Sequence, residues 1–140
     1  MRSCRVIMER ATDMKRQILI VDDNPDNLKL AQLLLECEGY QVETAEDAEQ
    51  ALAWLQSRRP DLILMDIQLP GMDGLDLTRR LRTMEELKKV RIVALTAYAM
   101  HGDEENARAA GCDGYITKPI DTRAFPALIR EHLAAGAAAE

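Results

Sequence analysis

Hydrophobic positions along the chain follow two alternating periods. Nearly unbroken apolar runs stand at 17–21, 62–66, 90–95 and 114–117, while residues 40–45 alternate apolar with polar. Short runs rich in β-branched residues predict strands buried on both faces, and the alternating one predicts a strand with one buried face. Between these runs the apolar spacing lengthens to three and four residues, the period of a helix. Leu28, Ala31, Leu34 and Leu35 mark the first helix, which Asn24 caps, Pro25 opens and Gly39 closes. Leu30 and Leu33 widen its apolar face beyond what one sheet contact needs, so this helix is either deeply buried or an edge for a partner. Asp47 caps a second helix with Ala48, Ala51, Leu52 and Leu55 on one face, ending near Arg59-Pro60. A third starts near Leu75 and carries Leu77, Leu81 and Met84; an alanine-rich fourth spans 103–110 and ends at Gly111. Asp121 or Thr122 caps a fifth, bearing Phe125, Leu128, Ile129 and Leu133.

A βα unit repeated five times with short links predicts an α/β fold: a doubly wound, five-stranded parallel sheet with right-handed crossovers and helices on both faces. In the flavodoxin-like order 2-1-3-4-5 the first and third strands are neighbours at the switch point, where such sheets bind ligands. One domain is expected over 17–134, preceded by a flexible arm at 1–16 and followed by a fraying tail at 135–140. Met14, just ahead of the first strand, is an alternative start.

Charge is spread unevenly. Residues 1–16 hold five basic and two acidic side chains, a net of +3, which leaves −9 on the remainder of a chain whose total is −6. So acidic a body is poorly suited to a phosphate backbone, which argues against nucleic acid, and suits an acidic pocket that draws in a cation. No apolar run approaches the length of a spanning helix, and the opening segment has no long apolar stretch or small-residue cleavage site, so a cytoplasmic protein is expected. Cys4, Cys37 and Cys112 have no metal-knuckle spacing and fit a reducing compartment, Cys37 and Cys112 as small core residues.

Polar residues of chemical interest all follow strands. Asp22 and Asp23 end the first, Asp66 the third, Thr96 the fourth and Lys118 the fifth. Taken singly, each has an ordinary explanation: a carboxylate after a strand is commonly a helix cap, and a lone lysine is commonly a surface residue. Together on strand ends they form a set. Three clustered carboxylates repel unless a cation joins them, and an oxygen-only ligand set suits Mg²⁺. A carboxylate oxygen, a metal, a hydroxyl and an ammonium are also what phosphoryl transfer to an aspartate requires. The Lys118-Pro119 bond could be cis and aim the lysine inward.

The strings Ile20-Val21-Asp22-Asp23-Asn24, Asp61 through Gly74 with Met65-Asp66-Ile67-Gln68-Leu69-Pro70, Ala94-Leu95-Thr96-Ala97, and Gly111 through Lys118-Pro119 resemble response-regulator receiver domains, the CheY-like family of two-component signalling, over residues 17–134. Within that family the strings Met65-Asp66-Ile67-Gln68-Leu69-Pro70, Thr96-Ala97-Tyr98-Ala99-Met100 and Gly102-Asp103-Glu104-Glu105 are most similar to DivK-type single-domain regulators of polarity and the cell cycle. The resemblance implies that Asp66 accepts a phosphoryl group from a histidine kinase or histidine phosphotransfer protein. It implies Mg²⁺ on Asp23, Asp66 and the Gln68 backbone carbonyl, with Asp22 on the metal or on a metal-bound water, and phosphoryl contacts from Thr96 and Lys118. Tyr115 falls at the family's aromatic switch position, where a ring follows Thr96 toward the phosphate; a half-buried strand tyrosine is the plainer account. A downstream protein target is implied, no DNA or membrane is, and a homodimer is compatible without being fixed. The basic arm and Pro126, early in the last helix, depart from the DivK-type pattern, and Pro126 leaves the start of that helix open.

Two other functions are weighed. Haloacid-dehalogenase-type phosphatases also form an aspartyl-phosphate, but they carry a second Asp two residues after the nucleophile, where this chain has Gln68, and no cap domain is present. A pseudo-receiver that binds partners without phosphorylation conflicts with a complete acidic set. His101 and His132 join no nucleophile motif.

Overall fold

The structure, a computed structural model, describes residues 16–96, 103–118 and 120–138. Five parallel strands, β1 (Gln17–Val21), β2 (Gln41–Ala45), β3 (Leu62–Asp66), β4 (Arg91–Thr96) and β5 (Gly114–Thr117), form one sheet in the order β2-β1-β3-β4-β5. Five helices join and follow them: α1 (Pro25–Glu36), α2 (Ala48–Leu55), α3 (Gly74–Arg82), α4 (Asp103–Ala110) and α5 (Phe125–Ala138). This is the doubly wound parallel sheet the alternation predicts.

Each interior strand divides its side chains between two cores because successive residues point to opposite faces. Leu19, Val21, Ile63, Met65, Ile92 and Ala94 pack with Ala51, Leu55, Leu77, Leu81 and Ala107 from α2, α3 and α4. Ile18, Ile20, Leu62, Leu64, Val93 and Leu95 pack with Leu28, Ala31, Leu35, Phe125 and Ile129 from α1 and α5. Every residue of β3 is buried, as a central strand covered on both faces requires, whereas the edge strand β2 buries only Val42 and Ala45, short of the regular alternation its sequence predicts.

Local signals fix most element ends. Asn24 Oδ1 accepts from the Asp26 and Asn27 N–H groups at 2.9 and 3.2 Å, Asp47 Oδ1 from Gln50 N at 2.8 Å, and Asp73 Oδ1 from Leu75 N at 2.8 Å. Gly39 turns the chain out of α1 with φ of 93°, a conformation that carries little strain only without a Cβ. Asp121 Oδ1 accepts from Arg123 and Ala124 N–H just ahead of α5. Pro126 is the second residue of α5, in the first turn, where its missing N–H has no intrahelical acceptor to lose.

Some expectations shift. α3 ends at Arg82, so Met84 stands past its cap and leads into a 3₁₀ turn at Glu85–Leu87. α5 continues to Ala138, into the stretch expected to fray at 135–140, in keeping with alanine's strong helix propensity. Cys112 is buried but Cys37, on the C-cap of α1, is only half-buried. Leu33 is 57% exposed while Leu30 and Leu34 are half-buried, so the wide face of α1 reaches solvent. The arm before Arg16, the segment 97–102 with Tyr98 and His101, and Pro119 with its peptide bond lie outside the described residues.

Candidate functional site

The sheet register brings four strand ends to one edge. β1 runs beside β3, β3 beside β4 and β4 beside β5, each in parallel, so residues just past the carboxyl ends share one edge. Asp22 N donates to the Ala45 carbonyl at 3.0 Å, Ile67 N to the Leu95 carbonyl at 2.9 Å, and Lys118 N to the Thr96 carbonyl at 2.6 Å. These bonds extend the ladders one residue past the strands, so the backbone that carries each side chain is fixed.

Three carboxylates meet there: an oxygen from each of Asp22, Asp23 and Asp66 lies within 4.8 Å of the others. Asp22 is 0% and Asp66 3% exposed, while Asp23 faces solvent. Asp22 Oδ1 accepts from Asn24 N at 2.9 Å, and Asp66 Oδ1 from Gln68 N at 3.0 Å. Lys118 enters from β5, its Nζ 3.1 Å from Asp22 Oδ2 and 3.1 Å from Asp66 Oδ2. It is aligned for a hydrogen bond to Asp66, whereas Asp22 Oδ2 is buried with the charge contact alone. Thr96, the last residue of β4, is 2% exposed.

Burial is the main force on Asp66 and pushes its carboxyl up to about 6, helped by the negative charge of Asp22 and opposed by the Gln68 N–H. Burial also works against the Lys118 ammonium, but Asp66 and Asp22 outweigh it and hold the lysine above its usual value. The pocket therefore strains to keep Asp66 ionised with one lysine beside it. An all-oxygen donor set, plus a buried Asp22 oxygen without an aligned donor, fits a hard divalent cation better than a soft one.

Tyr115 pairs in register with Ala94, two residues before Thr96, and its half-buried ring packs against the core cluster shared by α2, α3 and α4. Tyr115 and Thr96 thus lie on one face of the sheet.

One residue outside the set of strand-end groups proves structural for the site. Gly74 N donates to the Ile67 carbonyl at 2.7 Å, and a Cβ at this position would overlap the Asp66 carbonyl oxygen. Only glycine lets α3 start this close to the strand that carries Asp66. The signal was the Asp73-Gly74 pair at a helix start, where glycine is otherwise a poor choice.

Residues 18–130 match the family of response regulator receiver domains. The chain is similar to the polar-differentiation response regulator DivK of Brucella anthropi, 43% identical over 120 residues, which are 86% of this chain and 98% of that protein. Among solved structures, a CheY-like receiver domain protein of Methanospirillum hungatei superposes with a TM-score of 0.83 at 32% identity, covering 90% of this chain and 99% of the other. The receiver domain of the sensor histidine kinase PA1611 of Pseudomonas aeruginosa, whose active site cleft coordinates a magnesium ion, superposes with a TM-score of 0.78 at 37% identity, over 86% and 98%. With the family model matched over most of its length, this chain belongs to the response regulator receiver domains.

Proposed function

We propose that the chain is a phosphorylation switch in a polarity or cell-cycle pathway, in which Asp66 takes a phosphoryl group from a phosphohistidine on a kinase or phosphotransfer protein. The observation that carries this reading is the junction of Asp66, Asp22 and Lys118 at 3.1 Å contacts beside a third acid, Asp23. An Asp66 oxygen attacks phosphorus, an O–P bond forms, the P–N bond to the donor breaks, and the imidazole leaves with its electron pair. Asp22, Asp23, Asp66 and the Gln68 carbonyl would hold Mg²⁺, which when bound neutralises the carboxylates and the phosphoryl oxygens. Lys118, held by the two buried acids, supplies positive charge to the oxygens of the arriving group, and Thr96 supplies a hydroxyl. Autodephosphorylation by water at the same centre completes the cycle.

Output follows from a shift between two pre-existing states, with Thr96 and Tyr115 as the moving pair. The exposed Leu33 on α1, with the half-buried Leu30 and Leu34, is an apolar face suited to a helical kinase or phosphotransfer partner. The 43% identity to DivK supports placing the pathway in polarity control; a general phosphorelay or chemotaxis-type role is the second reading the family allows. A pull-down comparing wild type, Asp66→Asn and a beryllofluoride-treated sample tests the switch. The proposal predicts partners that separate the activated sample from the other two; identical partners in all three would contradict it.

A further inference from the structure

On the flank where α2 faces α3, three concavities follow one another, each sharing lining residues with the next. The first, about 520 Å³, lies between the start of α2 and the loop containing Pro70, Gly71 and Met72. The second, about 130 Å³, shares Leu52 and Arg80 with it, and the third, about 240 Å³, shares Leu55, Gln56 and Met84 with the second. They form one groove alongside the eight residues of α2, a rise of about 12 Å or two helical turns. Its apolar surface is supplied by Leu52, Met72 and Met84, none fully buried. Methionines adapt their shape to an occupant more readily than branched residues do.

Charge along the groove is graded. Asp47 and Glu49 stand at the end near the phosphoacceptor loop, Arg80 midway, and Arg58 and Arg59, with Glu86, at the far end. Among the described residues Glu49, Arg80 and Arg59 form no ion pair, and Arg58 has a 3.8 Å contact with Glu43 while lying over the Trp54 ring. A second copy of this chain matches poorly. Its own exposed apolar helix, α1, carries Asp26 in the first turn and Glu36 in the last, with Lys29 between them, so either orientation sets a carboxylate against Asp47 and Glu49.

We infer that this groove docks an amphipathic helix of a partner protein, apolar over two turns, with basic side chains over Asp47 and Glu49 and acidic side chains over Arg80 and Arg59. Graded charge fixes the orientation of such a helix, and the apolar floor supplies most of the attraction. The site goes beyond the phosphorylation reading and does not depend on it.

The test uses three stapled helical peptides of about 14 residues with one leucine ridge. One has lysines at one end and glutamates at the other, one has glutamates at both ends, and one has lysines at both. Binding to the full chain is read from the fluorescence of Trp54, its single tryptophan, and from NMR shifts. The bipolar peptide should bind about tenfold tighter than either uniform one. Glu49→Lys should move the preference toward the glutamate-ended peptide and Arg59→Glu toward the lysine-ended one, with unchanged melting confirming intact folds. Equal affinity for all three peptides, no binding, or preferences unmoved by the substitutions would overturn the inference. So would sedimentation as a dimer that Glu49→Lys dissociates, because the occupant would then be a second copy.

Discussion

Asp66 holds a carboxylate where burial resists one, and that conflict has a measurable sign. Its folded pKa of about 6 lies above the ordinary 3.8, so between these values the folded state binds more protons than the unfolded state. Stability therefore falls as pH rises through that window, and the deficit persists above it. Asp66→Asn removes the charge. In the absence of divalent cations it should be more stable than wild type at pH 7, on the order of 1 to 3 kcal/mol, with the gap closing below pH about 4. Urea denaturation at both pH values in chelator checks this; equal stability at pH 7 would contradict it. Gly74 matters for a different reason. Gly74→Ala drives a methyl group into the Asp66 carbonyl and should cost about 1 to 3 kcal/mol while weakening Mg²⁺ affinity. Gly71→Ala is the informative comparison: its φ of 81° makes a side chain strained, yet the space around it is open. That change should lower the melting temperature modestly and leave Mg²⁺ affinity intact. The acids and the lysine were legible in the sequence because each ends an apolar run. The need for glycine at 74 was not, since it arises from a contact with residue 66 that exists only once the strand and helix meet.

At the scale of elements, the strands and helix caps could be read because they rest on local chemistry: β-branched runs, Asn24, Asp47 and Gly39. Helix ends set by tertiary contacts could not. Met84 continues the apolar spacing of α3, yet the chain turns away after Arg82 because that arginine gathers the segment around itself. Arg82 Nε donates to the Gly111 carbonyl at 2.9 Å, and Nη1 lies within 3.0 Å of the Leu87, Lys88 and Val90 carbonyls. Nη2 pairs with Asp113 Oδ2 at 2.7 Å, and that same oxygen accepts from Ile92 N at 3.0 Å. One side chain thus ties the end of α3 to the starts of β4 and β5, at the end of the sheet opposite the acidic site. Gly111 belongs to the same arrangement, since a Cβ there would collide with Arg82 Cγ at 2.7 Å. Arg82→Ala would strip several carbonyls, most of them partly buried, of their shared donor and should lower stability by about 2 to 4 kcal/mol, with Arg82→Lys recovering only part because an ammonium cannot reproduce the planar fork. Chemical denaturation of both variants tests this, and a loss below about 0.5 kcal/mol for Arg82→Ala would mean that water replaces the arginine at no cost.

The molecule as a whole sets two layers of helices around a sheet whose carboxyl end carries the acids. This architecture was legible from the alternation of periods alone, because strict βα order leaves few permitted topologies. The exposure of Leu33 was legible only as an alternative, since the same leucine spacing serves a buried helix and a partner face. A body with a net charge of −9 outside its first 16 residues should respond strongly to a divalent cation. Saturating Mg²⁺ should raise the melting temperature of wild type, by the equivalent of about 3 kcal/mol at a hundredfold excess over Kd. Asp23→Asn should lose most of that gain, and an undiminished shift would exclude Asp23 from the ligand set. The central claim is that Asp66 is the phosphoacceptor within this cation-binding junction. Its most direct test is to incubate the protein with acetyl phosphate and Mg²⁺ and locate the modification by mass spectrometry. The account predicts a single acid-stable, base-labile phosphoryl group on Asp66, absent without Mg²⁺ and absent in Asp66→Asn; equal labelling of Asp66→Asn would contradict it.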